Sequence, residues 1–223
     1  MKRGNRPPVK KMNKMFMGKS EEDLRKLRES SGHKKWIKII PQAKTIKFDD
    51  YNRKEYFKLV ADIILDDEVY ASGKKQGEIK RNTVIRFVPT IPMKDYKDKD
   101  EWIYIFVLDG NIVKIGGTRT GLYNRTASYI CGHYTTERGG SDKCSVTNAF
   151  IYNTFEFYLK HGSKIQMYGY KLPKYNITID ILGKNEEIFV QTFHAYESVF
   201  MADYKKKYKH NPFLSDNSDP DYK

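Results

Sequence analysis

Residues 102 to 125 constrain the fold more than any other stretch of this chain. Trp102 to Leu108 and Ile112 to Ile115 are runs of β-branched and aromatic residues joined by Asp109-Gly110-Asn111. Asp-Gly between such runs is a strong hairpin signal, because those residues tolerate the positive φ of a tight turn. Gly116 and Gly117 end the second run, and Thr118 or Thr120 then caps a helix whose first turns carry Leu122, Arg125 and Tyr129. Arg125 and Tyr129 are four apart and share one helical face. Period-two alternation puts Tyr104, Phe106 and Leu108 on one side of the first strand. Lys114 joins Tyr104 on that side if the hairpin register allows.

Composition narrows the partners. A net charge of +13 creates the positive field expected of a protein that neutralises phosphates. Lysine greatly outnumbers arginine, which suits phosphate tracking more than bidentate base reading, although lysine-rich usage also follows from an AT-rich genome. The hydrophobic share of 39% over 223 residues supports one substantial core. No apolar run approaches the roughly 18 residues a membrane helix needs, and the basic, polar amino terminus has no apolar stretch behind it. The expectation is a soluble cytoplasmic protein with no membrane partner. Cys131 and Cys144 flank His133 without a CxxC pair, which points to reduced, unpaired thiols instead of zinc.

Along the chain, residues 1–19 are basic and free of acidic residues, and form a flexible arm. Residues 20–100 read as an N-terminal elaboration: a short capped helix over Ser20 to Glu29, an amphipathic helix over Asp50 to Leu65 with Tyr56, Phe57, Val60, Ile63 and Ile64 as its stripe, and a strand over Thr83 to Val88. Lys94 to Glu101 is a charged surface connection. Residues 101–217 form the core, with a polar loop over residues 135–143 and strands at 146–159, 164–171, 176–182 and 187–193 that enlarge the sheet or make a DNA-clasping hairpin. A tail covers 218–223. Phe193 to Tyr204 has a helical pattern that lets Tyr196, Val199, Phe200 and Tyr204 face the core. Lys205 to His210 adds positive charge to the end of that helix.

Ile103-Tyr104, Ile115-Gly116, Thr118, Leu122, Arg125 and Tyr129, in that order and spacing, resemble the core of the GIY-YIG nucleases. The pattern of that family is an Ile-Tyr on one strand and a Tyr-Ile-Gly on the next. A Thr, a helical Arg, a His or Tyr one turn later and a Glu on a later helix follow. Lys114 stands where the family usually has its second tyrosine, an exchange similar to one in a branch of small type II restriction endonucleases. Glu197 is the acid best placed to match the family's Glu, ahead of Glu186, Glu187 and Asp203. An acid in a first helical turn can instead serve only the helix dipole. Pro212 and Asn217 match a family Pro and Asn too loosely for a role.

The resemblance implies an α+β fold: a GIY-YIG-type core with a small antiparallel sheet flanked by helices, plus N-terminal and internal elaborations. It implies a Mg²⁺-dependent endonuclease acting on double-stranded DNA, with one ion per active site, Mn²⁺ able to substitute, and a homodimer on DNA. Glu197 would hold the metal, Arg125 would bind a nonbridging phosphate oxygen, Tyr104 would be the general base, Lys114 would supply positive charge or hold the attacking water, and Tyr129 would hydrogen-bond the phosphate. Lys10, Lys11, Lys14, Arg119, Arg138 and Lys143 are the candidate DNA contacts. A type II restriction enzyme is the first reading; a phage or homing nuclease of the same family and a non-catalytic nucleic-acid-binding module on the same fold are the alternatives.

Overall fold

The hairpin expected from residue 102 onward is the centre of the molecule. A computed structural model describes residues 19–41, 44–66, 68, 71–74, 76–78, 84–134 and 144–215. Strands β1 (Ile46–Lys47), β2 (Lys58–Leu65), β3 (Ile85–Pro89), β4 (Trp102–Leu108), β5 (Asn111–Thr118) and β6 (Ile165–Lys171) form one six-stranded sheet in the order β1-β5-β4-β6-β2-β3. Every neighbouring pair is antiparallel. The fold is therefore α+β, with the hairpin strand β4 central and β5 next to the short edge strand β1.

Asp109 and Gly110 both take positive φ, 47° and 81°, so the two-residue turn has the backbone twist a hairpin needs. Strand β5 runs through both glycines to Thr118, beyond the expected end at Ile115. Strand β4 is buried along its whole length, with Tyr104, Phe106 and Leu108 in one core and Ile103, Ile105 and Val107 in the other. The first core is completed by helix α4 (Val146–Lys160), and the second by helix α5 (Phe193–Tyr208). Helix α1 (Glu21–Glu29) starts at Ser20 with a capping box to Asp23. Helix α2 (Met93–Lys97) interrupts the connection expected over Lys94 to Glu101, whose last residues Asp100 and Glu101 are buried instead of lying on the surface. Helix α3 (Gly121–Ile130) follows β5.

Two expected elements are corrected. The amphipathic helix over Asp50 to Leu65 is a 3₁₀ turn at Lys54–Tyr56 followed by β2. Its Val and Ile residues have a high strand propensity, and pairing on both sides with β3 and β6 provides the long-range contacts that decide the matter. The strand expected over 146–159 is α4, capped by Ser145, whose hydroxyl accepts the Asn148 amide at 3.2 Å. Residues 148–159 of α4 are all buried, so no polar face remains to reveal a helical period, and the aromatic and β-branched content mimics a strand. In α5, Phe193, Phe200 and Tyr204 are buried, but Val199 faces outward at 57% exposure.

Strands β7 (Tyr175–Ile181) and β8 (Lys184–Val190) form a separate two-stranded sheet, closed by Leu182-Gly183. They do not extend the main sheet. Among the described residues no helix is long and apolar enough to cross a membrane. Cys131 and Cys144 form no disulfide, and the Cys131 thiol donates to the Cys144 sulfur at 2.6 Å.

Candidate active site

The register of the central hairpin sets the site. Phe106 pairs with Lys114 and Tyr104 with Gly116, so Lys114 points to the same face of the sheet as Tyr104. Helix α3 lies over that face and presents Arg125 and Tyr129 to it. Its position is fixed by Leu122, which is fully buried, and by Thr126, whose hydroxyl meets that of Tyr96 at 2.8 Å. Thr120 occupies the position before the helix but makes no side-chain cap; its amide instead donates to the Thr118 hydroxyl at 3.2 Å.

Tyr104 and Tyr129 are both fully buried, and their hydroxyls are 2.6 Å apart. The Arg125 Nε–H donates to the Tyr104 hydroxyl at 2.8 Å, and the guanidinium lies 4.6 Å from the centre of the Tyr129 ring. Burial raises the pKa of both tyrosines, because a phenolate is poorly solvated there. Arg125 and the Tyr129 hydrogen bond oppose that rise at Tyr104, whereas at Tyr129 the neighbouring Tyr104 adds to it. The phenolic pair in turn strengthens the hold of Arg125 on its charge.

Lys114 is buried, and its ammonium donates to the Leu214 carbonyl at 3.2 Å. Desolvation, assisted by repulsion from Arg125 and opposed by Glu197, pulls its pKa down to about 8. The cation in hydrogen-bond contact with Tyr104 is Arg125; Lys114 makes its hydrogen bond to Leu214 and lies within the fields of Arg125 and Glu197.

Glu197 comes from the opposite face of the sheet, on α5, and is half-buried. The two glycines of β5 allow this convergence. A methyl group at Gly116 would sit 2.5 Å from the Tyr104 hydroxyl, and one at Gly117 would sit 3.0 Å from Glu197 Oε2. Gly116 therefore leaves room for the Tyr104 hydroxyl, and Gly117 leaves room that the Phe193 ring, at 2.8 Å, and the Glu197 carboxylate share. The start of α5 is held by Glu101, whose Oε2 accepts the Thr192 amide at 2.9 Å and the Thr192 hydroxyl at 3.0 Å. This ties the helix of Glu197 to the entry of β4.

Of the other acids, Glu186 and Glu187 lie exposed on β8, and Asp203 is ion-paired to Arg53 at 2.6 Å. Arg119 is exposed between β5 and α3. Lys10, Lys11, Lys14, Arg138, Lys143 and Asn217 lie outside the described residues.

Sequence reasoning missed three positioning features. The segment Leu214-Ser215 runs along β5: the Leu214 amide donates to the Val113 carbonyl at 2.7 Å, and the Ile115 amide donates to the Ser215 hydroxyl at 2.9 Å. It supplies the carbonyl that holds Lys114. Gly117 and Glu101 are the other two. The glycine pair itself was the available signal, since two adjacent glycines inside a strand mark a close approach.

Among the described residues there is no cluster of three or more His, Cys, Asp or Glu side chains that could hold a metal. Glu197 alone fits Mg²⁺, which keeps most of its water and takes one or two carboxylates together with substrate phosphate.

No protein-family model matches this chain, and no curated protein does. Among solved structures, it is similar to the restriction endonuclease Hpy188I in complex with product DNA: 25% identity, covering 76% of this chain and 86% of that one, with a TM-score of 0.46. It is also similar to a mutant of bacteriophage T4 EndoII: 20% identity, covering 68% of this chain and 90% of that one, with a TM-score of 0.41.

Proposed function

We propose that this protein is a Mg²⁺-dependent endonuclease that hydrolyses phosphodiester bonds in double-stranded DNA with GIY-YIG-type chemistry, and that it serves as a type II restriction enzyme. The observation that carries this reading is the hydrogen-bonded group of Arg125, Tyr104 and Tyr129, with Lys114 and Glu197 converging from the two faces of one sheet. An ordinary βα unit would pack its tyrosines and solvate its arginine. Here a guanidinium is held against two buried phenols, which is an arrangement for handling a proton beside an anion.

Phosphodiester hydrolysis needs a water to lose a proton, and it needs positive charge where the phosphate oxygens become more negative. Tyr104 accepts the proton of the attacking water as a phenolate: it first gives its own proton to solvent, and the Arg125 N–H on its oxygen favours that anion against the burial that raises its pKa. The Tyr129 hydroxyl, 2.6 Å away, hydrogen-bonds the Tyr104 phenolate until that proton arrives. Arg125 uses only Nε on Tyr104, which leaves its other guanidinium N–H groups for a nonbridging oxygen. Lys114 holds its charge near the attacking water while protonated. Glu197 would hold Mg²⁺, whose chemistry is to stabilise the charge on the phosphate and the departing 3′ oxygen.

The positive charge of the whole chain favours a polyanionic substrate, and the exposed Arg119 is a candidate phosphate contact. Incubation of the purified chain with supercoiled plasmid in Mg²⁺ and in chelator, followed by end sequencing, tests the reading. Discrete fragments with defined ends in Mg²⁺ alone are expected. Intact plasmid at micromolar protein in both Mg²⁺ and Mn²⁺, across plasmids of different sequence, would contradict it.

A further inference from the structure

The chain has two cysteines, and the fold brings both to one place beside helix α3. Cys131 opens the 3₁₀ turn Cys131–Tyr134 that follows α3, two residues beyond Tyr129. Cys144 stands just before Ser145, the N-cap of α4. Thirteen positions separate them in sequence, yet the Cys131 thiol donates to the Cys144 sulfur at 2.6 Å. A disulfide bond is roughly 2.05 Å long, so closure asks for a movement of only about half an ångström. Both side chains are half-buried, so small oxidants reach them. The proposed hydrolysis uses neither sulfur.

The surroundings decide which sulfur attacks and which backbone moves. Cys144 receives the Cys131 S–H and stands at the positive end of a 15-residue helix, and both favour its thiolate. Its own donation, to the Ser145 carbonyl, is long at 3.5 Å. The backbone around Cys131 is held in place. Asn148 on α4 donates through Nδ2 to the Ser128 carbonyl at 3.0 Å. At Gly132 a methyl group would collide with the Tyr152 Cβ and stand 2.9 Å from the Asn148 carbonyl oxygen, so the turn after α3 is already pressed against α4. Cys144 packs on Trp36, Ala149 and Phe150 but lies ahead of the first helical hydrogen bonds of α4, so the closing movement falls on it.

We propose that Cys131 and Cys144 form a reversible disulfide site for low-molecular-weight disulfides of the glutathione type, and that the bond staples the end of α3 to the start of α4. The Cys144 thiolate, its proton given to solvent, attacks one sulfur of the small disulfide. A mixed disulfide forms and one small thiolate leaves. Cys131 then loses its proton, attacks the Cys144 sulfur and expels the second small thiolate. The protein dithiol is oxidised by two electrons, and the small disulfide is reduced to two thiols that carry the two protons. In a reducing compartment the pair stays open; an oxidising poise closes it. Because Cys144 makes the movement, the closed staple stiffens the end of α3 and leaves Arg125 and Tyr129 in place. That consequence for cleavage rests on the nuclease reading; the bond itself does not.

Treatment of the full chain with oxidised glutathione, beside a sample kept in a phosphine reductant, provides the test. After oxidation and removal of the reagent, the unfolded wild type is expected to show no titratable thiol and a single-chain mass lower by two hydrogens. A proteolytic digest should yield the Cys131 and Cys144 segments joined. Closing a loop of this length should raise the melting temperature by roughly 5–10 °C. Cys131→Ser and Cys144→Ser should each take up at most one glutathione, the first faster than the second, and show no such rise. The wild-type readings stand without them should either variant fail to fold. Two lasting glutathione adducts on the wild type, a bond between chains, thiols that stay unreacted in excess reagent, or an unmoved melting temperature would overturn the proposal. Single-turnover cleavage should differ by less than about threefold between the two forms, and a larger loss would show α3 displaced and overturn the staple as drawn. A chain that cuts DNA in neither form, with the melting shift intact, would remove the nuclease reading and leave the disulfide standing.

Discussion

Gly116→Ala isolates the position of the Tyr104 hydroxyl from everything else in the site. Gly116 lies in regular β5 with no positive φ, so alanine brings no backbone strain. The new methyl would stand 2.5 Å from the Tyr104 oxygen and 2.7 Å from its ring carbon Cζ. Ordinary contact begins at 3.4 Å, so the hydroxyl has to retreat by 3.4 minus 2.5, or 0.9 Å. The ring cannot absorb this by swinging freely, because it is fully buried and packs against Phe106 and Tyr129 at centroid distances of 5.4 and 6.5 Å. Overpacking of this kind costs about 1–3 kcal/mol of stability. A displacement near 1 Å at a reacting group costs on the order of 10²-fold in rate, or roughly 2.7 kcal/mol of barrier. Single-turnover cleavage at saturating protein, read beside thermal unfolding, separates the two effects. In a Tyr104→Phe background, Gly116→Ala should lower the rate little further, since the hydroxyl it displaces is already gone. A folded Gly116→Ala protein that cleaves at the wild-type rate would refute the argument that the Tyr104 oxygen must sit where it does.

Three further outcomes are expected. Glu197→Gln should nearly abolish cleavage in Mg²⁺ and leave DNA affinity measured in Ca²⁺ largely intact, because the amide keeps the shape and loses the anionic ligand; full activity would place the metal elsewhere. Arg125→Ala should slow single-turnover cleavage by about 10²-fold or more, with a far smaller change in DNA affinity; loss of binding alone with untouched chemistry would make Arg125 a docking residue. Lys114→Met should slow cleavage and also change how stability depends on pH. The folded Lys114 gives up its proton near pH 8 and the unfolded one near 10.5, so the unfolded chain binds more protons between those values and stability rises with pH there. Denaturant titrations should show the wild type gaining on the order of 3 kcal/mol over Lys114→Met across that window, and parallel curves would show that Lys114 is not buried as a cation.

The sequence made the centre of this site legible because its signals are local. Asp109-Gly110 specifies a turn and the start of the register, but an uninterrupted register would pair Lys114 with Ile105; a bulge at Val113 moves Lys114 opposite Phe106 and so onto the Tyr104 face. Arg125 and Tyr129 follow from helical spacing alone. Glu197 was readable as an acid in a helical pattern, but its approach from the other face depends on the Gly117 gap and the Glu101 contact with Thr192, which only the assembled sheet creates. The misreadings came where tertiary packing overrides local pattern. Asp50 to Leu65 and 146–159 have apolar content compatible with either state, and neighbours fixed one as a strand between strands and the other as a helix buried on all sides. The hydrogen bond of Lys114 goes to Leu214, a partner 100 residues away for which no spacing rule exists.

The most direct test of the account is the single-turnover cleavage rate of Tyr104→Phe, measured on duplex DNA with saturating protein and Mg²⁺, and accompanied by unfolding curves. Removal of one buried oxygen leaves the ring, its packing and the sheet in place. The account predicts a folded protein of near wild-type DNA affinity with at most trace cleavage over the whole accessible pH range. A Tyr104→Phe protein that cuts at the wild-type rate would make Tyr104 a packing residue and contradict the proposed chemistry, whatever the fold.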